Sequence, residues 1–362
     1  MRILQLIQKP QLRGAEIFAC QLSNHLERMG NQVIVVSIYQ GDADLPFLGK
    51  IINLNRSISQ RFFDFKGWKA FNKIIKDFKP DIVQANAADT LKFAVSSKKI
   101  FSWSQPIIYR NANKMGDFIT SKFKYLLNKY YISKVDYVIS VSKECELDFI
   151  KIFGFPTNKI STVEIGVEEK QVGKKPIDLV DIFDIGPVIT HIGGFVPEKN
   201  HIGLMRIMEP LIKKKPSFQI LLLGKGELED SVKELVFKMG IQNNVHFLGY
   251  RADVLEIISN SKAFVLPSLI EGLPAVILES MYCETPVVSY NVGGIGEVVI
   301  NNKTGWIFEK NDEQNFRKAI DEILTSNSTI LSEVTNAKEL VTEKFLNTQI
   351  TKRFSNVYES IL

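Results

Sequence analysis

Pro267-Ser268-Leu269-Ile270-Glu271-Gly272-Leu273-Pro274-Ala275-Val276-Ile277-Leu278-Glu279 follows a short apolar run and leads into an apolar helical pattern. Gly272-Leu273-Pro274 reads as the turn between a strand and a helix, with Pro274 suited to the first helical turn. The amides of Ala275 and Val276 at that helix start favour an anion or the polar oxygens of a ligand. Glu271 then lies on the loop and Glu279 about one and a half turns into the helix, at ~3.6 residues per turn. One carboxylate on each can hold hydroxyls of two parts of one ligand. The plainer alternative is an exposed loop glutamate and an ordinary helix glutamate.

Outward from this stretch, residues 188–191, 218–223, 245–248, 263–266 and 287–289 read as strands with helical patterns between them. The same alternation fills the front of the chain. Residues 2–8, 33–38, 82–84, 106–109 and 137–141 read as strands, and 16–28, 67–78 and 122–133 as amphipathic helices. Strand and helix in steady order predict parallel sheets with helices on both faces. The chain of 362 residues has room for two such domains. The expected division is a first α/β domain over 1–167, a linker over 168–184 and a second α/β domain over 185–345. A C-terminal helix over 346–362 is expected to pack back on the first domain. Residues 313–362 are helical by periodicity. Ligands of doubly wound sheets bind at the carboxyl ends of the strands, so two such domains predict a cleft.

Composition narrows the class. Apolar residues make up 45% and charged residues 23%, which excludes a disordered or fibrous chain. The three cysteines, Cys20, Cys145 and Cys283, are far apart and suit a reducing cytosol. No apolar run approaches the ~18 residues of a membrane span, and the short run after Met1 reads as a first strand rather than a signal peptide. The net charge of +5 hides an asymmetry. Residues 1–160 hold 24 Lys and Arg against 13 Asp and Glu, and the rest hold 21 against 27. The basic front half calls for an acidic partner, an anionic membrane face or nucleic acid.

The motifs, taken together, resemble the retaining GT-B glycosyltransferases of the family 4 (glycosyl transferases group 1) type. Ser268, Glu271, Gly272, Leu273, Pro274 and Glu279 match the family's serine, Glu-Gly-Leu/Phe-Pro turn and second glutamate. Downstream, Thr285-Pro286-Val287-Val288 and Val292-Gly293-Gly294 with Glu297 match. Upstream, Leu223-Gly224-Lys225-Gly226, Phe247-Leu248-Gly249-Tyr250-Arg251 and Gly193-Gly194-Phe195-Val196-Pro197-Glu198-Lys199-Asn200 match. Near the start, Arg13-Gly14-Ala15-Glu16 resembles the family's Gly-Gly-x-Glu loop. The resemblance spans nearly the whole chain, in order.

It implies a GT-B architecture, two Rossmann-like domains facing across a cleft, and transfer of a sugar from a nucleotide donor with retention and without a metal or other cofactor. Lys199 is the implied cation for the departing diphosphate. Helix-start amides around Gly293, Gly294 and Ile295, with the Gly14 loop, would add donors, and Gly193 and Gly194 are expected among the residues that bind the sugar nucleotide. Glu279 is expected to bind the ribose hydroxyls and Glu271 a hydroxyl of the donor sugar. Gly272, Leu273, Ala275 and Val276 complete that side, and backbone groups at Arg251 are expected to read the base. The sequence departs from the family in three places. Arg13 replaces the first glycine of the front loop, Gly194 stands where an arginine is frequent, and Asn111 where a histidine is frequent. Arg110 and Arg13 are candidates to supply the missing positive charge, with Arg13 and Asn111 on the acceptor side.

Two further signals are weaker. Asp42-Ala43-Asp44 looks like the metal-binding triplet of another glycosyltransferase class but sits in a polar loop. Gly224-Lys225-Gly226 lacks the third glycine of a dinucleotide fingerprint. Two basic stretches, 61–79 and 122–134, interleave aromatics with lysines at helical spacing. Such helices rest on an anionic bilayer or, alternatively, turn their aromatics into the core. The expectation is a cytoplasmic enzyme at the inner face of the membrane. It would take a UDP-sugar and extend a lipid-linked or growing saccharide in capsule or lipopolysaccharide synthesis, with no nucleic acid as partner. The competing readings are a sugar-nucleotide-binding homologue with weak or no turnover, motivated by Asn111 and Gly194, and a sugar-nucleotide epimerase.

Overall fold

The computed structural model describes residues 1–325 and 331–362. They form two compact units, Met1–Glu168 with Asn347–Leu362, and Glu169–Leu346. Among the described residues no helix is long and apolar enough to cross a membrane.

The first unit holds a seven-stranded sheet of β1 (Arg2–Ile7), β2 (Gln32–Tyr39), β3 (Lys50–Arg56), β4 (Ile82–Ala85), β5 (Ile107–Asn111), β6 (Tyr137–Ser140) and β7 (Ile160–Thr162). The order is β3-β2-β1-β4-β5-β6-β7 and every pair is parallel. Strands buried on both faces are rich in apolar residues, as β1, β2 and β4–β6 are, with Gln5, Gln84, Arg110 and Asn111 as buried polar exceptions. Its helices are α1 (Gly14–Arg28), α2 (Phe65–Phe78), α3 (Ala88–Phe101), α4 (Lys122–Ile132) and α5 (Lys143–Phe153). Several start on a side-chain cap. Asp64 accepts from the Gly67 amide at 2.9 Å, Ser121 from Lys124 and Ser142 from Cys145. These bonds satisfy amides that a helix start leaves without partners.

The second unit holds a six-stranded parallel sheet of β8 (Val188–Ile192), β9 (Gln219–Leu223), β10 (Val245–Gly249), β11 (Ala263–Leu266), β12 (Val287–Tyr290) and β13 (Trp306–Phe308), ordered β10-β9-β8-β11-β12-β13. Its helices are α6 (Val180–Ile185), α7 (His201–Lys214), α8 (Glu229–Met239), α9 (Val254–Ser259), α10 (Ala275–Tyr282), α11 (Glu313–Thr325) and α12 (Leu331–Lys344). The helical reading of 313–362 includes 326–330, which lie outside the described residues.

The end of the expected linker is docked rather than free. Leu179 is buried with Val188, Leu221, Leu223 and Ile257, and Ile182 and Phe183 of α6 pack against them. Leu179, Ile182 and Phe183 have a surface to cover, which a composition-based reading misses, while Ile177 and Ile185 stay exposed.

The last helix, α13 (Asn347–Ile361), packs on α1 through Phe18 and Phe354, whose ring centroids are 5.8 Å apart. Its Tyr358 hydroxyl donates to Gln84 at 2.6 Å and accepts from Gln5 at 3.3 Å. Asn86 bonds to Gln5 and Gln84, so a buried amide layer lies between helix and sheet.

Candidate functional site

In each sheet the strand order reverses once, and loops at that switch point diverge and leave a crevice. In the second unit the reversal falls between β8 and β11. The loop after β8 carries Lys199 and the loop after β11 carries Glu271. Asn200 stitches them, its Nδ2 donating to the Pro267 carbonyl at 3.0 Å while its Oδ1 caps α7 at the Gly203 amide. The Leu269 amide donates to the Glu198 carbonyl at 2.7 Å. Held this way, Lys199 Nζ donates to Glu271 Oε1 in an ion pair whose carboxylate is buried.

Two neighbouring loops close on the pair. Gly293, at φ +57, presses on the Glu271 carbonyl so closely that a Cβ would sit 2.1 Å from that oxygen. Gly224, at φ +132, leaves the same 2.1 Å against the Gly193 carbonyl. Glycine is required at both. This packing corrects one expectation. The Gly294 amide donates to the Gly272 carbonyl at 2.5 Å and the Ile295 amide to Val292 at 3.3 Å. Both were expected to face a ligand, and both instead hold the loop.

Leu273 is buried at the turn, and Ala275 and Val276 form the first turn of α10. Pro274 takes the extended N-cap position, one residue earlier than expected. Glu279 is half-buried on α10, and desolvation pushes its carboxyl up to about 7, opposed by the charge of Lys170. The Lys170 backbone is fixed beside that helix by the Tyr282 hydroxyl, which donates to its carbonyl at 3.0 Å. The Arg251 guanidinium is clamped by Asp178 at 2.6 Å and Asp253 at 2.6 Å, which together hold it further toward the charged form. Gly193 and Gly194 open the β8 loop. A Cβ on Gly194 would meet only the Lys225 carbonyl at 3.4 Å, so space does not account for the missing arginine.

Beneath Lys199 lie two histidines that sequence reasoning left unassigned. The His191 and His201 rings meet at 4.7 Å, and Phe195 stacks on His201 at 4.0 Å. His191 Nδ1 pairs with the Val265 carbonyl at 2.9 Å, while both His201 nitrogens lack a partner among the described residues. Burial lowers His191 to about 4 and His201 to about 2, the Lys199 charge adding to both. Their signal was positional, one at a strand end and one at a helix start flanking the Lys199 motif.

In the first unit the reversal falls between β1 and β4. Arg13 is the exposed N-cap of α1, and Gly14 opens that helix with nothing near its missing Cβ. Glu16 is buried in the first turn, its carboxyl raised by desolvation and holding the Gln11 amide at 3.0 Å. Arg110, the last residue but one of β5, faces α1, only 2% exposed, with its guanidinium 4.4 Å from the Phe18 ring centroid. Its Nε and Nη1 have no partner among the described residues, and desolvation pulls it down to about 10. Asn111 is a correction. It was expected on the acceptor side, but strand alternation turns it to the other face. There it is fully buried, donating to Ser140 at 3.3 Å and to the Cys145 carbonyl at 3.4 Å. Asp42 and Asp44 lie in the loop after β2. Among the described residues no three His, Cys, Asp or Glu side chains gather as a metal cluster.

Comparison with known proteins follows the same division. Residues 12–171 match the family described as Glycosyltransferase Family 4, and residues 181–339 match Glycosyl transferases group 1. Two curated relatives from Methanocaldococcus jannaschii are the uncharacterized glycosyltransferases MJ1059 and MJ1607. The first is 29% identical over 60% of this chain and 57% of its own length, the second 26% identical over 97% and 95%. The poly(ribitol-phosphate) alpha-N-acetylglucosaminyltransferase of Staphylococcus aureus is 22% identical over 90% of this chain and 67% of its own. Among solved structures, HepE from Anabaena in complex with UDP and glucose shares the fold at a TM-score of 0.83, with 20% identity over 99% of both chains. The chain belongs to the GT-B glycosyltransferases of the family 4 type.

Proposed function

We propose that this protein transfers a sugar from a UDP-sugar to a saccharide acceptor carried on a lipid or a growing glycan, with retention at the anomeric carbon and without a metal. The reading places it in capsule, lipopolysaccharide or related surface-polysaccharide synthesis at the inner face of the cytoplasmic membrane. The observation that carries it is the Lys199–Glu271 pair at the switch point of the second sheet. A diphosphate leaving group needs a cation fixed before the bond breaks. A carboxylate beside that cation holds it in place until the donor binds and can then accept a sugar hydroxyl. The UDP and glucose in HepE support the donor class, and the poly(ribitol-phosphate) named for the Staphylococcus relative supports a surface polymer as the class of acceptor.

In the proposed step the bond from C1 to the diphosphate oxygen breaks and its electron pair leaves with the phosphate. The acceptor oxygen bonds to C1 on the same face, and the departing phosphate oxygen takes the acceptor's proton. Lys199 stabilises the developing charge. Glu271 orients the sugar and is not a nucleophile. Glu279 holds the ribose, and the backbone at Arg251 reads the base. Arg110 is the candidate for the positive charge that the family's missing arginine and histidine would have supplied.

The test is slow hydrolysis of UDP-glucose and UDP-N-acetylglucosamine, followed by proton NMR. Release of the α-anomer first, undiminished by EDTA, supports the reading. A β-anomer first overturns retention, and an epimeric sugar points to the epimerase. UDP binding with no turnover, even with lipid-linked acceptors, favours the binding homologue.

A further inference from the structure

Helices α2, α3 and α4 of the first unit enclose a cavity of about 380 Å³. Trp68, Phe93, Leu127 and Tyr131 line it, and Arg61 and Lys92 bring positive charge to the same lining. Phe62 and Phe123 also border it, yet they are 68% and 74% exposed, and Phe63 beside them is 72% exposed. Helix α4 buries only Ile132. Its Phe123, Leu126 and Tyr130, at i, i+3 and i+7, form an apolar stripe that faces out. A helix that shows its apolar stripe to water marks a contact surface.

The charge around this surface is mostly positive. Between residues 57 and 79, Arg61, Lys66, Lys69, Lys73, Lys76 and Lys79 stand against two acids, Asp64 and Asp77. Asp64 is buried and clamps Arg56 at 2.8 Å, so it cancels none of them. Residues 119–134 carry Lys122, Lys124, Lys129 and Lys134 and no acid. Exposed aromatics ringed by lysines fit the boundary between headgroups and hydrocarbon. A cavity with apolar walls and two cations fits one chain and one phosphate, which a nucleic acid would not fill.

We propose that this cavity holds an acyl chain of an anionic bilayer phospholipid, with Arg61 and Lys92 on its phosphate and Phe62, Phe63 and Phe123 inserted around it. The site is a membrane anchor. It goes beyond the transfer reaction and stands without it.

The full chain is mixed with vesicles of phosphatidylcholine alone or in equal parts with phosphatidylglycerol, part of the latter bearing a diazirine at the end of one chain. Co-sedimentation is expected only with the anionic vesicles, and light should attach the probe to Trp68, Phe93 or Leu127. The triple variant K66E/K69E/K124E should weaken vesicle binding by roughly a hundredfold. Ser96→Trp, which fills the cavity from α3, should abolish labelling there and keep most vesicle binding. If it lowers the melting temperature, Lys92→Glu serves instead. Equal binding to neutral vesicles overturns the proposal, as do labels confined to the outer phenylalanines or unchanged in Ser96→Trp. Labelling by a prenyl phosphate in detergent but not by the phospholipid overturns it in favour of an acceptor site. Displacement from vesicles by RNA overturns it in favour of nucleic acid. UDP-sugar hydrolysis on the same samples keeps the two readings apart, because its loss in the wild type removes the transferase reading and leaves the anchor.

Discussion

Each unit holds a candidate cation, Lys199 in the loop after β8 and Arg110 on β5, and the two are treated in opposite ways. In the second unit Lys199 is paired within the chain to Glu271, and the surrounding loops are stitched by Asn200 and by the Leu269 amide. In the first unit Arg110 is buried over Phe18 with two guanidinium nitrogens unpaired among the described residues. A buried, unpartnered charge costs stability, and proteins keep such groups mainly where a ligand needs them. The paired lysine is thus part of the scaffold, while the arginine's Nε and Nη1 add no such pairing among the described residues.

The largest expected effect breaks the paired side. If the proposed function is right, Lys199→Ala and Glu271→Ala should each lower kcat/KM for donor hydrolysis by about a hundredfold or more, since each would remove a group next to the reacting bond. Lys199→Ala should also lower the melting temperature by leaving Glu271 buried and unpaired, and Lys199→Met/Glu271→Leu should restore it. Wild-type rates in both single variants would remove the site. Arg110→Met sharpens the contrast from the other side. The melting temperature should hold or rise while turnover falls by roughly tenfold or more, a split expected where a strained group serves function. A fall in melting temperature with unchanged turnover would make Arg110 structural.

Glu279 gives a smaller and pH-dependent effect. Its carboxyl titrates near 4.5 when unfolded and about 7 when folded. Between those values the folded state binds more protons, so its contribution to stability falls as pH rises through the window. Glu279→Gln should therefore raise the melting temperature more at pH 8 than at pH 4.5. UDP affinity by calorimetry should weaken below pH 7 in the wild type, as the carboxylate loses its charge, and stay flat in the variant. Smallest is Gly194→Arg, for which the backbone leaves room. It should tighten UDP binding by about fivefold if the missing arginine left a phosphate underserved.

Legibility in the sequence followed burial. Strands inside the sheets announced themselves as apolar runs. The three missed, β3, β7 and β13, all lie at sheet edges, where one neighbour is absent. β3 alternates exposed and half-buried positions, and the other two have only three residues each. Local motifs singled out Lys199, Glu271 and Glu279 as candidates because loop and helix start are contiguous in the chain. The pairing of Lys199 with Glu271 spans 72 residues and depends on strand order, which no local pattern carries. The same holds for Arg110 and Asn111. Adjacent in sequence, they face opposite sides of a sheet, and only the helices laid on each side decide what they meet. The amides of Gly294 and Ile295 looked available because a glycine pair reads as open backbone. It is instead the glycine's small size that lets another carbonyl reach them.

The helix over Asn347–Ile361 sets the order in which the chain can mature during synthesis. It covers Phe18 and joins the Gln5, Gln84 and Asn86 layer, and its first residue is fixed to the front unit by the Val167 carbonyl and by Glu168. All of the second unit is translated before that helix leaves the ribosome. At ~5–20 residues per second the front unit waits ~10–35 seconds with its α1 face incomplete. The unit begun first therefore receives its covering helix only after the whole of the second unit has been translated.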